Sequence, residues 1–274
     1  MAINARAGAR KLKHGIATLR GRVRAGAPAA LDTNPAFAPG GSQESVHHTR
    51  QVVARVFLKG EGIEIGALHQ PLSVPASARV RYVDRMTTPE LRKHYQELAS
   101  LPLVEIDVID DGERLTTFEA ASQDFVIANH FIEHCQNPIL TFQSLLRVLK
   151  VGGVLYMGVP DKRFTFDIDR PCTTVEHIVR DYTDGPAVSK RDHFEEWVRL
   201  VNKCPDGPQV EQQVRHLMDI DYSIHFHVWT ARDLFQLVAT LHNYVQFELE
   251  LFLRNGFETL LVLRKSSASQ ARLS

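Results

Sequence analysis

Gly62-Ile63-Glu64-Ile65-Gly66-Ala67-Leu68, a loop carrying Pro71 and Pro75, and then Arg81-Tyr82-Val83-Asp84 form the stretch on which the fold turns. A short apolar strand ends on an acid and a glycine, and about twenty residues later a second short strand ends on another acid. That layout suits a nucleoside held at the carboxyl edge of a parallel sheet, with Asp84 available to the ribose hydroxyls. The later glycines of a dinucleotide fingerprint are absent: Leu68 and Gln70 stand in their place. The phosphate cradle of a nicotinamide-dependent oxidoreductase is therefore missing.

Outward from this stretch, strands and helices alternate. A helix is expected over His47–Leu58, then strands at Ile63–Gly66 and Val80–Val83, a helix over Pro89–Ala99 and a third strand at Val104–Ile109. The apolar run Phe125-Val126-Ile127-Ala128 within Gln123–Asn129 reads as a strand buried on both faces. Ile139, Phe142, Leu145, Leu146 and Leu149 share one face of a helix over Pro138–Leu149, which Gly152-Gly153 stops before a fifth strand, Val154–Val159. Residues 161–230 break the pattern and read as a polar cap over the carboxyl edge, with helical pieces near Thr174–Tyr182 and His193–Lys203. A helix at Ala231–His242 follows. Phe247–Leu253 and Phe257–Leu263 flank Arg254-Asn255-Gly256, a tight-turn signal that makes them antiparallel neighbours.

Lys plus Arg and Asp plus Glu both count 32, so net charge gives no argument for nucleic acid binding. The local distribution is uneven. Residues 1–31 hold Arg6, Arg10, Lys11, Lys13, Arg20, Arg22 and Arg24 and no acid, with Leu12, Ile16, Leu19 and Val23 in one helical stripe. Such an arm reads as a solvated segment, as a peripheral membrane or partner contact, or as something resembling a mitochondrial transit peptide. A linker rich in Ala, Pro and Gly follows, so the expected organisation is an arm and linker to residue 44, a domain over 45–265 and a tail over 266–274. Cys135, Cys172 and Cys204 form no CxxC pair and fit a reducing, cytoplasmic setting.

Taken in order, these features resemble class I S-adenosylmethionine-dependent methyltransferases over Gly62–Lys265. The acid-x-Gly of that family resembles Glu64-Ile65-Gly66, and its ribose-binding acid resembles Asp84. Its adenine-edge acid is similar to Asp111. Asp124-Phe125-Val126-Ile127 through Asn129, His130, Glu133, His134 and Pro138 is similar to its fourth-strand motif. The resemblance implies an α/β, Rossmann-like, seven-stranded sheet, mostly parallel with a terminal antiparallel hairpin, with helices on both faces and an insertion after the fifth strand. It implies S-adenosylmethionine as cofactor, held by Glu64, Gly66, Asp84, Asp111 and Asn129. Glu-Ile-Gly-Ala-x-x-x-Pro-Leu from Glu64 to Leu72 also looks similar to predicted methyltransferases that occur with bacterial surface-glycan enzymes, which implies a saccharide or another polar hydroxyl acceptor.

Proton transfer from an oxygen acceptor calls for a base. The candidates are His130, His134, His225 and His227, the last two alternating with apolar residues so that an extended chain would face both one way. On a helix, His130, Glu133 and His134 would share a face and could ligate a metal; no metal set is assigned. Asp161–Asp167 should line the acceptor pocket, and Tyr222 and Trp229 are stacking or core residues. A second expectation is a non-catalytic methyltransferase-like module that docks a partner or membrane through its basic arm.

Overall fold

The computed structural model describes residues 43–95 and 98–267. The basic arm, most of the linker and all but the start of the tail lie outside the described residues. No described helix is long and apolar enough to cross a membrane.

Helix α1 (Gln43–Phe57) leads into β1 (Gly60–Ile65) and β2 (Ala78–Asp84), followed by α2 (Thr88–His94), β3 (Val108–Ile109), β4 (Gln123–Ile127), α3 (Pro138–Val148) and β5 (Leu149–Pro160). The cap then supplies α4 (Val175–Thr183), α5 (Ala187–Glu196) and α6 (Pro208–Asp219) before α7 (Ala231–Leu241), β6 (Phe247–Asn255) and β7 (Glu258–Lys265) close the domain. The seven strands lie in the order β3-β2-β1-β4-β5-β7-β6, with β7 running against the other six. Crossing from β3 back to β4 reverses the strand order beside β1, which opens a crevice at the carboxyl ends of β1 and β4.

Alternation along the central strands sorts the core into two layers. Phe125 and Ile127 of β4 join Val154, Tyr156, Leu260 and Val262 against the α1 residues Val53 and Ala54. Val126 and Ala128 face the other way, with Ile63, Ile65, Leu155 and Leu261, toward α3 and α7. The cap carries its own small core, built from Phe194, Trp197, Val214, Leu217 and Phe226.

Several boundaries differ from the sequence expectation. The third strand shrinks to Val108–Ile109, because the backbone just before it bonds elsewhere: Val104 N–H to the Leu68 carbonyl and Ile106 N–H to Thr88 Oγ1. The expected helix at Pro89–Ala99 ends at His94. α5 starts at Ala187 and passes into a π turn at Trp197–Val201. The polar composition of the cap hides α6, although Pro208 at its first turn and Val210, Val214 and Leu217 on one face are a readable signal. The hairpin is present with its turn one residue late, at Gly256 and Phe257. Asn255 stays on β6, where its Nδ2 donates to the Val46 carbonyl (3.1 Å) and to Glu258 (2.8 Å).

One buried charge pair ties α1 to the hairpin. Arg50 sits on the apolar face of α1 with Val46, Val53 and Ala54, and its Nε donates to Glu258 Oε1 at 2.8 Å while Nη2 bonds Oε2. Gly158 leaves the room: a Cβ there would stand 2.9 Å from Glu258 Oε2 and 3.3 Å from Arg50 Nη2. Burial by itself raises the Glu258 carboxyl, but hydrogen bonds and charge from Arg50, then from His130, outweigh it and hold the group at about 2. Its ordinary value is 4.5, so this pair contributes stability above that pH and loses it as pH falls from 4.5 toward 2. Glu258→Gln strands the Arg50 charge and is expected to cost about 3–5 kcal/mol in urea unfolding. The variant should also lose the wild-type decline in stability over that acid window; a neutral variant with an unchanged acid profile would refute the role.

Candidate functional site

A cavity of about 520 Å³ opens at the carboxyl edge of β1, β2 and β4, roofed by the cap. Gly66, Asp84, Asp111 and Asn129 line its sheet side. Phe164, Phe166, Tyr222 and His225 line its cap side, and His130 and His134 stand between the two. The cap is fastened down across the mouth: Arg85, just past β2, pairs with Asp221 at 3.0 Å, and His134 Nδ1 lies 2.9 Å from the Ile224 carbonyl and 3.1 Å from Ser223 Oγ.

On the sheet side, Gly66 takes φ +64°, and a Cβ built there would meet nothing within 4 Å, so the backbone borders open space. Leu68 takes φ +50°, the left-handed conformation a glycine would adopt freely. Its side chain packs against the cluster of Leu91, Tyr95, Leu98 and Leu103, which offsets the backbone cost of about 1–2 kcal/mol. The loop thus turns as a glycine loop would, without the glycine. Glu64 clamps it: both carboxylate oxygens accept the Leu72 N–H, at 3.0 and 3.1 Å. Asp84, at the end of β2, is raised by burial against the hydrogen bonds of the Arg85 and Met86 amides. Asp111 is exposed at the rim and caps the next turn through the Glu113 N–H at 2.9 Å. The neighbouring Asp110 is occupied by Thr116 and Thr117. Asn129 has both side-chain polar atoms buried without a hydrogen-bond partner, beside the cavity.

On the other side, two histidines are each backed by a carboxylate. His130, in a left-handed conformation just after β4, bonds Glu258 Oε2 through Nε2 at 2.9 Å. His225 Nδ1 bonds Asp167 Oδ2 at 2.6 Å. Burial would raise Asp167, but the charge and hydrogen bond of His225, followed by those of Arg170, bring it to about 2. Arg170, itself buried, also donates to the carbonyls of His225 and Phe226 and so locks this segment.

The expected pairing of His225 with His227 does not hold. A bend at Phe226 lets the Phe226 and His227 amides both reach the Glu133 carbonyl, at 2.7 and 3.2 Å, and the alternation of sides is lost. His227 is fully buried away from the cavity among His177, Asp181 and His193. His130, Glu133 and His134 do not share an α-helical face either: a 3₁₀ turn covers only Ile132–His134, and Glu133 groups with His134 and His225. Trp229 belongs to the main core, whereas Tyr222 borders the cavity. Of Asp161–Asp167, residues 164–166 line the cavity, while Asp161 caps the turn beneath and Asp167 backs His225. Nothing in the local sequence around Glu258 or Asp167 marks either as a supporting group. Arg50 left a signal, a lone charge on the apolar stripe of α1.

Residues 61–157 match the family model described as a methyltransferase domain. No curated protein matches the chain. Solved structures similar to it include a SAM-dependent methyltransferase from Thermotoga maritima, named as a possible histamine N-methyltransferase (14% identity, covering 81% of this chain and 92% of that one, TM-score 0.41). A Pyrococcus horikoshii OT3 protein shares 18% identity (85% and 96% covered, TM-score 0.45). One from Rhodobacter sphaeroides, named for Zn-dependent alcohol dehydrogenases, shares 14% (90% and 98%, TM-score 0.48). Residues 61–157 thus form a methyltransferase domain, and S-adenosylmethionine is the cofactor that this domain implies.

The residues present fit that molecule. The Gly66 backbone borders open space, Asn129 offers an unused donor and acceptor, and Gly66, Asp84 and Asp111 front one cavity. That opening counts against the non-catalytic expectation.

Burial pushes the Glu64 carboxyl up to about 7, against the Leu72 hydrogen bond and the Arg50 charge. The folded value lies above the ordinary 4.5, so this group's contribution is greatest below pH 4.5 and falls as pH rises to about 7. At about 1.4 kcal/mol per pH unit, the loss is roughly 3 kcal/mol at most. Glu64→Gln keeps an acceptor for Leu72 and should flatten that slope in urea unfolding between pH 4.5 and 7; identical slopes would exclude this assignment.

Proposed function

We propose that the chain, a methyltransferase by the domain it carries, methylates a hydroxyl oxygen of a saccharide-like acceptor, with His130 as the general base. One observation carries this reading: His130 sits at the β4 edge of the cavity with its Nε2 committed to Glu258. Glu258 is held ionised, so it accepts the Nε2 proton and leaves Nδ1 as the basic nitrogen. Nδ1 lies 3.8 Å from Glu133 Oε1, beyond hydrogen-bond reach, and is available to an acceptor hydroxyl.

Bound S-adenosylmethionine supplies a methyl carbon already activated by its sulfonium. The protein's task is to align the acceptor, remove its proton and exclude water. Asp84 is suited to accept hydrogen bonds from both ribose hydroxyls, and Asn129 to hold a polar group near the β4 edge. Asp111 stands at the rim, where an adenine edge would lie. His134 and His225, with Tyr222, give the acceptor side a mixed aromatic and polar wall. Such a wall suits a ring that bears hydroxyls. The Glu64–Leu72 run, similar to methyltransferases that occur with surface-glycan enzymes, supports a saccharide over other hydroxyl compounds.

Calorimetry should show S-adenosylmethionine binding to the wild type, weakened about 10- to 100-fold in Asp84→Ala by loss of charge-assisted hydrogen bonds. No binding at millimolar cofactor would end the catalytic reading. His130→Ala should bind the cofactor normally and lose about 10²- to 10⁴-fold in turnover, the usual contribution of a general base. Radiolabelled methyl transfer to a panel of sugars, sugar nucleotides and amines tests the acceptor; label on amines alone would refute oxygen methylation.

A further inference from the structure

Outside the cavity, the cap brings together three histidines and an aspartate that the methyl-transfer reading does not use. His177 and Asp181 stand one turn apart on α4, His193 comes from α5, and His227 comes from the bend that follows His225. One ligand atom from each lies within 4.8 Å of every other. Asp181 Oδ2 is 3.2 Å from His177 Nε2, 3.7 Å from His227 Nε2 and 3.9 Å from His193 Nε2, and the His177 and His193 Nε2 atoms are 3.0 Å apart. Four donors at zinc-ligand distance in a tetrahedron are separated by about 3.3 Å, which lies within the range of these distances.

The burial of these groups points to a cation. Asp181 and His227 are 1% and 0% exposed, and His193 is 9% exposed. Asp181 Oδ2 and His227 Nε2 nevertheless have no hydrogen-bond partner. A buried carboxylate oxygen and a buried imidazole nitrogen facing one another unsatisfied is costly, and a divalent ion between them removes both deficits. Outer support is present: Ser189 Oγ donates to Asp181 Oδ1 at 2.6 Å and fixes the carboxylate. His177 is half-buried and offers a path from solvent. Its Nδ1 accepts from the exposed Arg180 at 3.0 Å, which places its proton on Nε2 in this geometry. Metal binding moves that proton to Nδ1, with Arg180 turning out to solvent.

We propose that His177, Asp181, His193 and His227 bind one divalent transition metal ion, zinc by preference, as a structural staple of the cap. Three imidazoles and a carboxylate suit zinc, with cobalt as a spectroscopic substitute. The site has four protein ligands and no face on the cavity, which marks it as structural rather than catalytic. Its reach toward the active site is mechanical. The Glu133 carbonyl holds the amides of both Phe226 and His227, so an ion that fixes His227 also fixes the bend that presents His225 to the cavity.

The test uses the untagged full-length protein. Elemental analysis should find about one zinc per chain, and chelator-stripped protein should regain a higher melting temperature when zinc is added. Cobalt added to stripped protein should give the intense visible bands of tetrahedral coordination. Ser189→Ala keeps all four ligands and should weaken zinc binding about 10- to 100-fold, the usual effect of losing outer-shell support. His177→Gln, at the least buried ligand, should fold and lose the cobalt bands. Absence of stoichiometric metal together with no melting shift and no cobalt spectrum in the wild type would overturn the proposal, leaving a proton-bridged histidine cluster. So would a His177→Gln variant with unchanged cobalt bands.

Discussion

The Arg50–Glu258 pair is the buried contact on which helix α1, the terminal hairpin and His130 all converge. Burying two charges is costly unless each finds its hydrogen bonds, and here Glu258 accepts from Arg50, His130 and Asn255 together. The pair joins the helix that precedes the sheet to the strand that completes it, 208 residues apart in sequence. It passes beneath the β5 glycine Gly158 and ends on the histidine at the β4 edge. One ionised carboxylate thereby orders the hairpin, seats α1 and fixes which nitrogen of His130 carries the proton. Stability and candidate chemistry are linked through the same group.

The cap repeats the device with different residues. Asp167 backs His225, and Arg170 neutralises Asp167 while holding the carbonyls on either side of the bend. The cavity therefore lies between two preorganised histidines, one built on the sheet and one on the cap. The cap has an apolar core of its own, so it can act as a wall of fixed shape once Arg85–Asp221 and His134 fasten it to the sheet. On the cofactor side, the Glu64 carboxylate holds the proline loop by its first free amide after Pro71, and Leu68 turns as a glycine would. The loop keeps its shape through a buried acid and apolar packing instead of through a run of glycines.

The parts of this plan that follow from local periodicity are legible in the sequence. The apolar run at Phe125–Ala128, the acids closing β1 and β2, and the terminal hairpin all appear where alternation and turn chemistry place them. Elements whose hydrogen bonds leave the regular ladder do not follow from periodicity. Val104–Ile106 looks like strand but bonds to a loop carbonyl and a threonine hydroxyl. Helix α6 hides in a polar segment, because only a narrow stripe of it is buried. His225 and His227 have the spacing of neighbours on one face, and a single bend at Phe226 separates them into two sites.

By itself, the sequence determined the alternation of strands and helices, the terminal hairpin, and the acids and glycine at the ends of the first two strands, since strand period and turn residues are local quantities; the seven-stranded mixed sheet came from the family resemblance. Tertiary structure alone decided which histidines meet which carboxylates: His130 with Glu258, His225 with Asp167, His227 with Asp181. Those pairs join residues 46–128 positions apart. Their meeting depends on bend angles and on how the cap packs over the sheet, neither of which leaves a periodic trace in the chain.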